Sequence, residues 1–173
     1  TKKICWDQSL IEQFQLKKII LPEIKKNYDD FGKVNKSYFG TEINIRSTIG
    51  DQQASLFGNQ CLNKGDLKIT LGTGAFLWLN KGNKFFPKNN SGCLETLSWY
   101  FDKPVFASEG FVVMAGSLID YFINNLNYAK DFVHFEKIAG KAKKNNIFII
   151  PSLLGLGTPW WSSKSNGSIY GLD

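Results

Sequence analysis

Between residues 67 and 126 the hydrophobic pattern changes period, and this change restricts the fold more than any other feature of the chain. The runs LKITL (67–71), AFLWLN (75–80), ETLSWYF (95–101) and PVFASEG (104–110) are short, rich in β-branched and aromatic residues and bounded by turn residues, as strands are. From Phe111 onward, Val113, Ala115, Leu118, Ile119, Phe122 and Leu126 recur at three- and four-residue spacing, which predicts a helix. A chain that carries both periods must place helices against a sheet, so the class is α/β or α+β. Gly72-Thr73-Gly74 predicts a tight hairpin, Asp102-Lys103-Pro104 predicts a second turn, and four successive runs predict a meander within a mixed sheet.

The flanking segments repeat this mixture. DQSLIEQFQL (7–16) places Leu10, Ile11 and Phe14 on one helical face with Asp7 as N-cap, and Pro22 closes or restarts the element. Residues 28–40 are polar and glycine-bearing and read as a loop; Ile43-Asn44-Ile45 reads as a strand running toward Gly50. A helix is predicted over 51–59, burying Ala54, Leu56 and Phe57, and another over 132–144 with the lysines of KAKKNN in its last turn, where they suit the helix dipole. Ile147-Phe148-Ile149-Ile150 reads as a buried strand ended by Pro151, and SIYGL (168–172) as a further apolar run. A shift of composition at 58–65 marks the candidate domain boundary, giving domains 1–60 and 61–173.

Composition excludes several classes. With 173 residues, 43% hydrophobic and 14% aromatic, the chain can bury a substantial core and is not disordered as a whole. Its start at Thr1 and its end in an apolar stretch read as a piece of a longer protein. Cys5, Cys61 and Cys93 are odd in number and widely spaced, and His134 is the single histidine; this points to a reducing, cytoplasmic setting and against structural zinc. No apolar run approaches the roughly 20 residues that span a bilayer. The net charge of +6 raises the question of nucleic acid, but Arg46 is the only arginine and the lysines are scattered, the pattern of a solvated surface.

Three stretches carry candidate chemistry. In IGDQQASLFG (49–58), Asp51 is open to three uses: N-cap of the following helix, acid of a metal or phosphate site, or general base. Gly72-Thr73-Gly74 is a hairpin turn by ordinary statistics, and its functional reading is phosphate binding, because glycines let backbone N–H groups approach an anion closely. Gly116 interrupts the helical pattern of GFVVMAGSLIDYF at a cost of roughly 1 kcal/mol for a helix interior, so it serves close packing or close approach of a ligand. Trp160-Trp161 reads as wedged aromatics or a binding platform, and His134 as structural.

In combination these stretches resemble the FGGY carbohydrate kinase family, and within it the branch that acts on glycerol. GDQQASLFG is similar to that branch's GDQQAALFG, and the interval to Gly72-Thr73-Gly74 followed by Ala75-Phe76 matches its spacing. FVVMAGSLIDYFINNL resembles the family's helix with Ala-Gly and an apolar run, and FIIPSLLGLGTPWW with SIYGL resembles its VPAF-GLGAPYWD…GLT region. Asp120 stands where the family has glutamine, Ser162 where it has the acid of its WD segment, and SSKSN where it has DPYAR.

The resemblance implies an α/β, actin-like ATPase (ribonuclease H-like) fold. The chain would represent the end of the first domain and the first part of the second, with a hinge near 58–66 and a cleft that closes on substrate. It implies ATP-dependent phosphorylation of glycerol. Asp51 would be the catalytic base and would help hold Mg²⁺, Gln52 would hydrogen-bond the substrate, and Phe76 would form an apolar wall. Gly72, Thr73 and Gly74 would contact the ATP phosphates, with Gly116 and Asp120 on the nucleotide side. Other family parts would lie before Thr1 and after Asp173, so the fragment alone is expected to be inactive, and family habit implies a homo-oligomer. An FGGY kinase for another polyol or sugar, a degenerate binding protein and a nucleic-acid module are the competing readings.

Overall fold

Asp7 starts the first helix as its cap: its carboxylate accepts from the backbone N–H groups of Ser9 and Leu10 at 2.9 and 3.4 Å and from the Ser9 hydroxyl at 2.6 Å. The computed structural model describes residues 2–86, 91–143 and 145–172. Helix α1 spans Gln8–Gln13 and is followed by a 3-10 turn at Leu16–Lys18. Its apolar face is only partly covered: Ile11 is half-buried, while Leu10 and Phe14 are exposed.

The stretch read as loop over 28–40 holds more structure than its polarity suggested. Strand β1 (Lys33–Val34) pairs antiparallel with β2 (Ile43–Asn44), Lys33 opposite Asn44 and Val34 opposite Ile43. Between them lies α2 (Lys36–Phe39), capped by the Asn35 side chain and ended at Gly40 with φ 74°. Asn35, Lys36 and Gly40 supply an acceptor, a helix former and a left-handed stop, so the signals were present but short.

Helix α3 (Asp51–Gly58) falls where predicted. Leu56 is its one buried residue at 0% exposure, Ala54 is half-buried and Phe57 is partly exposed. Strands β3 (Leu67–Leu71), β4 (Ala75–Gly82), β5 (Leu94–Tyr100) and β6 (Pro104–Val112) follow. They form one four-stranded sheet in the order β3-β4-β6-β5, so the expected meander is corrected: β6 rather than β5 lies beside β4. A short turn keeps β5 and β6 neighbours.

The helix predicted from Phe111 starts later. Strand β6 runs to Val112, and α4 spans Gly116–Asn124. Val112 and Val113 suit either period, and sheet pairing decided between them. Helix α5 (Phe132–Ala139) is capped by Asp131, whose carboxylate accepts from the His134 N–H at 2.8 Å. It ends before the lysines expected in its last turn, with Gly140 as its C-cap; Lys144 lies outside the described residues. Strands β7 (Phe148–Ile150) and β8 (Ser168–Tyr170) form an antiparallel ribbon, Ile149 opposite Ile169. The expected burial of β7 is corrected, since Phe148, Ile149 and Ile150 are all exposed; two strands without a covering layer leave apolar faces open.

The chain divides into two compact units, Thr1–Asp66 with Leu79–Pro87 and Glu95–Ala107, and Leu67–Trp78 with Lys88–Leu94 and Ser108–Asp173. In the first, Phe57 meets Trp99 edge-on at 5.4 Å and Phe101 at 5.8 Å, and Phe85 packs against Phe106 at 5.2 Å. Asn80, wholly buried, donates to Cys61 O at 2.9 Å and accepts from the Gly82 N–H at 2.8 Å. It thereby secures the turn over 61–66 without leaving a buried amide unsatisfied. In the second, Phe122 lies 6.5 Å from Phe135, joining α4 to α5. The Phe111 N–H donates to Thr158 Oγ1 at 3.0 Å, and the Thr158 N–H donates back to Phe111 O at 2.9 Å, fixing the glycine- and tryptophan-rich loop to β6.

Candidate active site

Asp51 is not the N-cap of α3. Gly50 holds that position in extended conformation (φ −69°, ψ 155°), and Asp51 is the first helical residue. Its Oδ1 accepts from the Gln52 N–H at 2.6 Å, and its side chain is exposed. A carboxylate in the first turn of a helix suits the positive end of the helix dipole. The helix beneath it is anchored by buried Leu56, by the Phe57 ring against Trp99, and by the Ala54 N–H donating to Gly50 O at 2.8 Å. Gln52 is half-buried beside it. A hollow of about 430 Å³ behind α3 has Asn27, Gly50, Gln53 and Ser98 in its walls, and Asp51 is not among its lining residues.

Gly72, Thr73, Gly74 and Gly116 meet within the second unit. The Gly72 N–H donates to Gly74 O at 2.9 Å, closing the turn. The start of α4 then bonds onto the turn's carbonyls: Gly116 N–H to Gly72 O at 2.8 Å, Ala115 N–H to Thr73 O at 2.9 Å and Ser117 N–H to Thr73 O at 3.1 Å. These donors are orphans of a helix N-terminus, and the turn satisfies them. A Cβ on Gly116 would lie 2.7 Å from Gly72 O, so the glycine is required by backbone approach at the start of the helix and is not a flaw in its interior. Gly74 is enclosed likewise, its Cβ position being 2.6 Å from Val112 O and 3.0 Å from Val113 O.

Phe76, half-buried on β4, stacks on Phe111 at 4.8 Å with 27° between the rings. Asp120 lies exposed one turn beyond Gly116 and takes no part in the bonds that tie α4 to the turn. His134 Nδ1 accepts from the Lys130 N–H at 3.2 Å, which fits the structural role expected of it. Trp161 Nε1 donates to Gly92 O at 2.6 Å while both Trp160 and Trp161 stay exposed, so the pair is partly wedged. Two residues went unnoticed in the sequence: Phe111, hidden by its assignment to a helix, and Ser117, whose hydroxyl donates to Thr73 O at 2.9 Å. The small polar residue after an Ala-Gly pair was the available signal for Ser117.

Among the described residues no three His, Cys, Asp or Glu side chains gather into a metal site. Mg²⁺ does not demand one, since it is commonly held by one or two carboxylates with phosphates and water completing an octahedron. The exposed Asp51 carboxylate, with one oxygen occupied by the Gln52 N–H, fits that limited share.

Residues 67–173 match the family model described as the C-terminal domain of the FGGY family of carbohydrate kinases. Over 97% of its length the chain is 41% identical to a glycerol kinase of Mycoplasma capricolum and 36% identical to one of Staphylococcus epidermidis. It spans about a third of each, 34% of the relative's length. The crystal structure of Plasmodium falciparum glycerol kinase with ADP superposes with a TM-score of 0.87 at 32% identity, over 98% of this chain and 34% of that one. A ligand-bound xylulose kinase from Lactobacillus acidophilus superposes at 0.76 with 22% identity, over 99% of this chain and 36% of that one, a likeness of fold.

Proposed function

The chain belongs to the FGGY family of carbohydrate kinases, and from that premise we propose that it forms the middle part of an enzyme transferring the γ-phosphoryl group of ATP to glycerol, giving glycerol 3-phosphate. The observation that carries this reading is the 41% identity to a glycerol kinase along nearly the whole chain. Residues 1–60 would close the first FGGY domain and 61–173 open the second, and the chain by itself would be inactive.

Asp51 is the base in this proposal. Phosphoryl transfer asks little covalent chemistry of the protein, so a base need only orient the acceptor hydroxyl and take its proton late. An exposed carboxylate on an anchored helix start suits that task. Gln52 would hydrogen-bond a second hydroxyl, and Phe76, braced by Phe111, would pack against the carbon chain. Directional partners and one apolar wall are what a small polyol offers for recognition. Gly72, Thr73 and Gly74 would contact the ATP phosphates, with Gly116 and Asp120 beside the nucleotide. Mg²⁺, held in part by Asp51, would neutralise charge on the phosphates.

No helix among the described residues is long and apolar enough to cross a membrane. With its three free cysteines the protein is expected to work in the cytoplasm, as a homo-oligomer and without nucleic acid.

A coupled ADP-release assay on the full-length protein with glycerol tests the assignment. Asp51→Asn should lower turnover by at least about a hundredfold while ATP binding stays near wild type. Near-normal turnover would remove Asp51 from the mechanism, and much faster phosphorylation of a pentulose than of glycerol would overturn the substrate.

A further inference from the structure

The carbonyl of Thr73 accepts three donors: the Ala115 N–H at 2.9 Å, the Ser117 N–H at 3.1 Å and the Ser117 hydroxyl at 2.9 Å. The carbonyl of Gly72 accepts from the Gly116 N–H at 2.8 Å. Peptide units are planar and trans, so each N–H points opposite to the C=O of its own unit. Binding the Gly72 and Thr73 carbonyls to the start of α4 therefore turns the N–H groups of Thr73 and Gly74 away from α4. The donors at the helix start polarise these two units, and hydrogen bonds in series strengthen one another. The positive end of the α4 dipole is thus passed through the turn to two outward-facing amides.

Among the described residues, Ser117 is the one whose side chain joins these backbone bonds. The Thr73–Gly74 unit turns about the ψ of Thr73 and the φ of Gly74, and the glycine on that side lowers the steric cost of reorienting it, so its orientation depends on what holds its oxygen. We infer that Ser117 is a positioning residue: its hydroxyl latches the Thr73 carbonyl against α4 and thereby holds the turn's N–H groups toward the phosphates of a bound nucleotide. This rests on the proposed contact between the turn and the ATP phosphates. Ser117 touches no phosphate and acts through the backbone of Thr73.

The test is equilibrium binding of ATP, ADP and adenosine to the full-length protein, with Ser117→Ala and Ser117→Thr. Loss of one hydrogen bond should weaken ATP and ADP by about threefold to tenfold in Ser117→Ala. Adenosine, which lacks phosphates, should bind as before, and Ser117→Thr, which keeps a hydroxyl, should recover most of the affinity. In steady state KM for ATP should rise while KM for the acceptor and kcat hold. Unchanged ATP affinity in Ser117→Ala overturns the inference, as does an equal loss for adenosine. So does failure of Ser117→Thr to recover affinity in a protein that melts at the wild-type temperature. A protein that binds ATP but phosphorylates no glycerol loses the substrate assignment and keeps this inference; one that binds neither ATP nor ADP loses both.

Discussion

Replacing Gly116 by alanine separates two accounts of that residue by the sign of the effect. In a helix interior with room for a methyl group, alanine would stabilise by about 1 kcal/mol. Here Gly116 is the first residue of α4, and the new Cβ would stand 2.7 Å from Gly72 O and 3.4 Å from Gly72 C. Both neighbours are backbone, so neither a rotamer change nor a flexible chain end can relieve the clash. Overpacking of this kind costs about 1–3 kcal/mol, and moving the turn away also weakens the bond from the Gly116 N–H to Gly72 O, worth about 1 kcal/mol. Set against the gain in propensity, the net loss is about 1–3 kcal/mol, or roughly 2–12 °C in melting temperature for a chain of this size. Gly58, where a Cβ meets nothing within 4 Å, is the internal control, and Gly58→Ala should stabilise by about 0.4–1 kcal/mol. Thermal unfolding followed by circular dichroism reads both, and KM for ATP in the full-length protein should rise in Gly116→Ala alone. A melting temperature raised by Gly116→Ala as by Gly58→Ala would refute the close approach of helix and turn.

Leu56 is fully enclosed, so Leu56→Ala should cost about 2–5 kcal/mol by chemical denaturation and should lower activity through loosening of α3. The Asp7 carboxyl is held below its ordinary value of 3.8, first by the Ser9 hydroxyl and then by the N–H groups of Leu10 and Ser9. A depressed carboxylate stabilises its helix fully above the ordinary value and stops doing so as pH falls through the lower one, so α1 should fray only below about pH 3.8. The Ser9 and Leu10 amide resonances should report this titration, and Asp7→Asn should abolish it.

The candidate site was legible to different depths. Asp51 and Gly72-Thr73-Gly74 could be picked out because an acid before a helical pattern and a hydroxyl between glycines are local signals, and the predicted starts of α3 and of the hairpin hold. Close packing at Gly116 was legible as one of two readings, but its partner was not, because the distance from its Cβ position to Gly72 O joins residues 44 positions apart in sequence. Ser117 was missed for the same reason, its partner Thr73 being equally remote. The Asp51 cap reading failed on a difference of one residue: Gly50 took the extended conformation that a cap needs, and nothing in the composition of IGDQQ decides between the two.

By itself the amino-acid sequence determined what local chemistry and periodicity can determine: the strands β3 to β6, the helix at Asp51, the cap at Asp7 and the tight turn at Gly72-Thr73-Gly74. Each of these depends on neighbours within a few positions, which a pattern reveals. Only the tertiary structure decided that β6 lies beside β4, that Val112 belongs to the sheet, and that α4 begins at Gly116 with its first amides spent on the turn's carbonyls. Those outcomes rest on hydrogen-bond partners far apart in the chain, and a linear pattern carries no record of which distant carbonyl a given N–H will find.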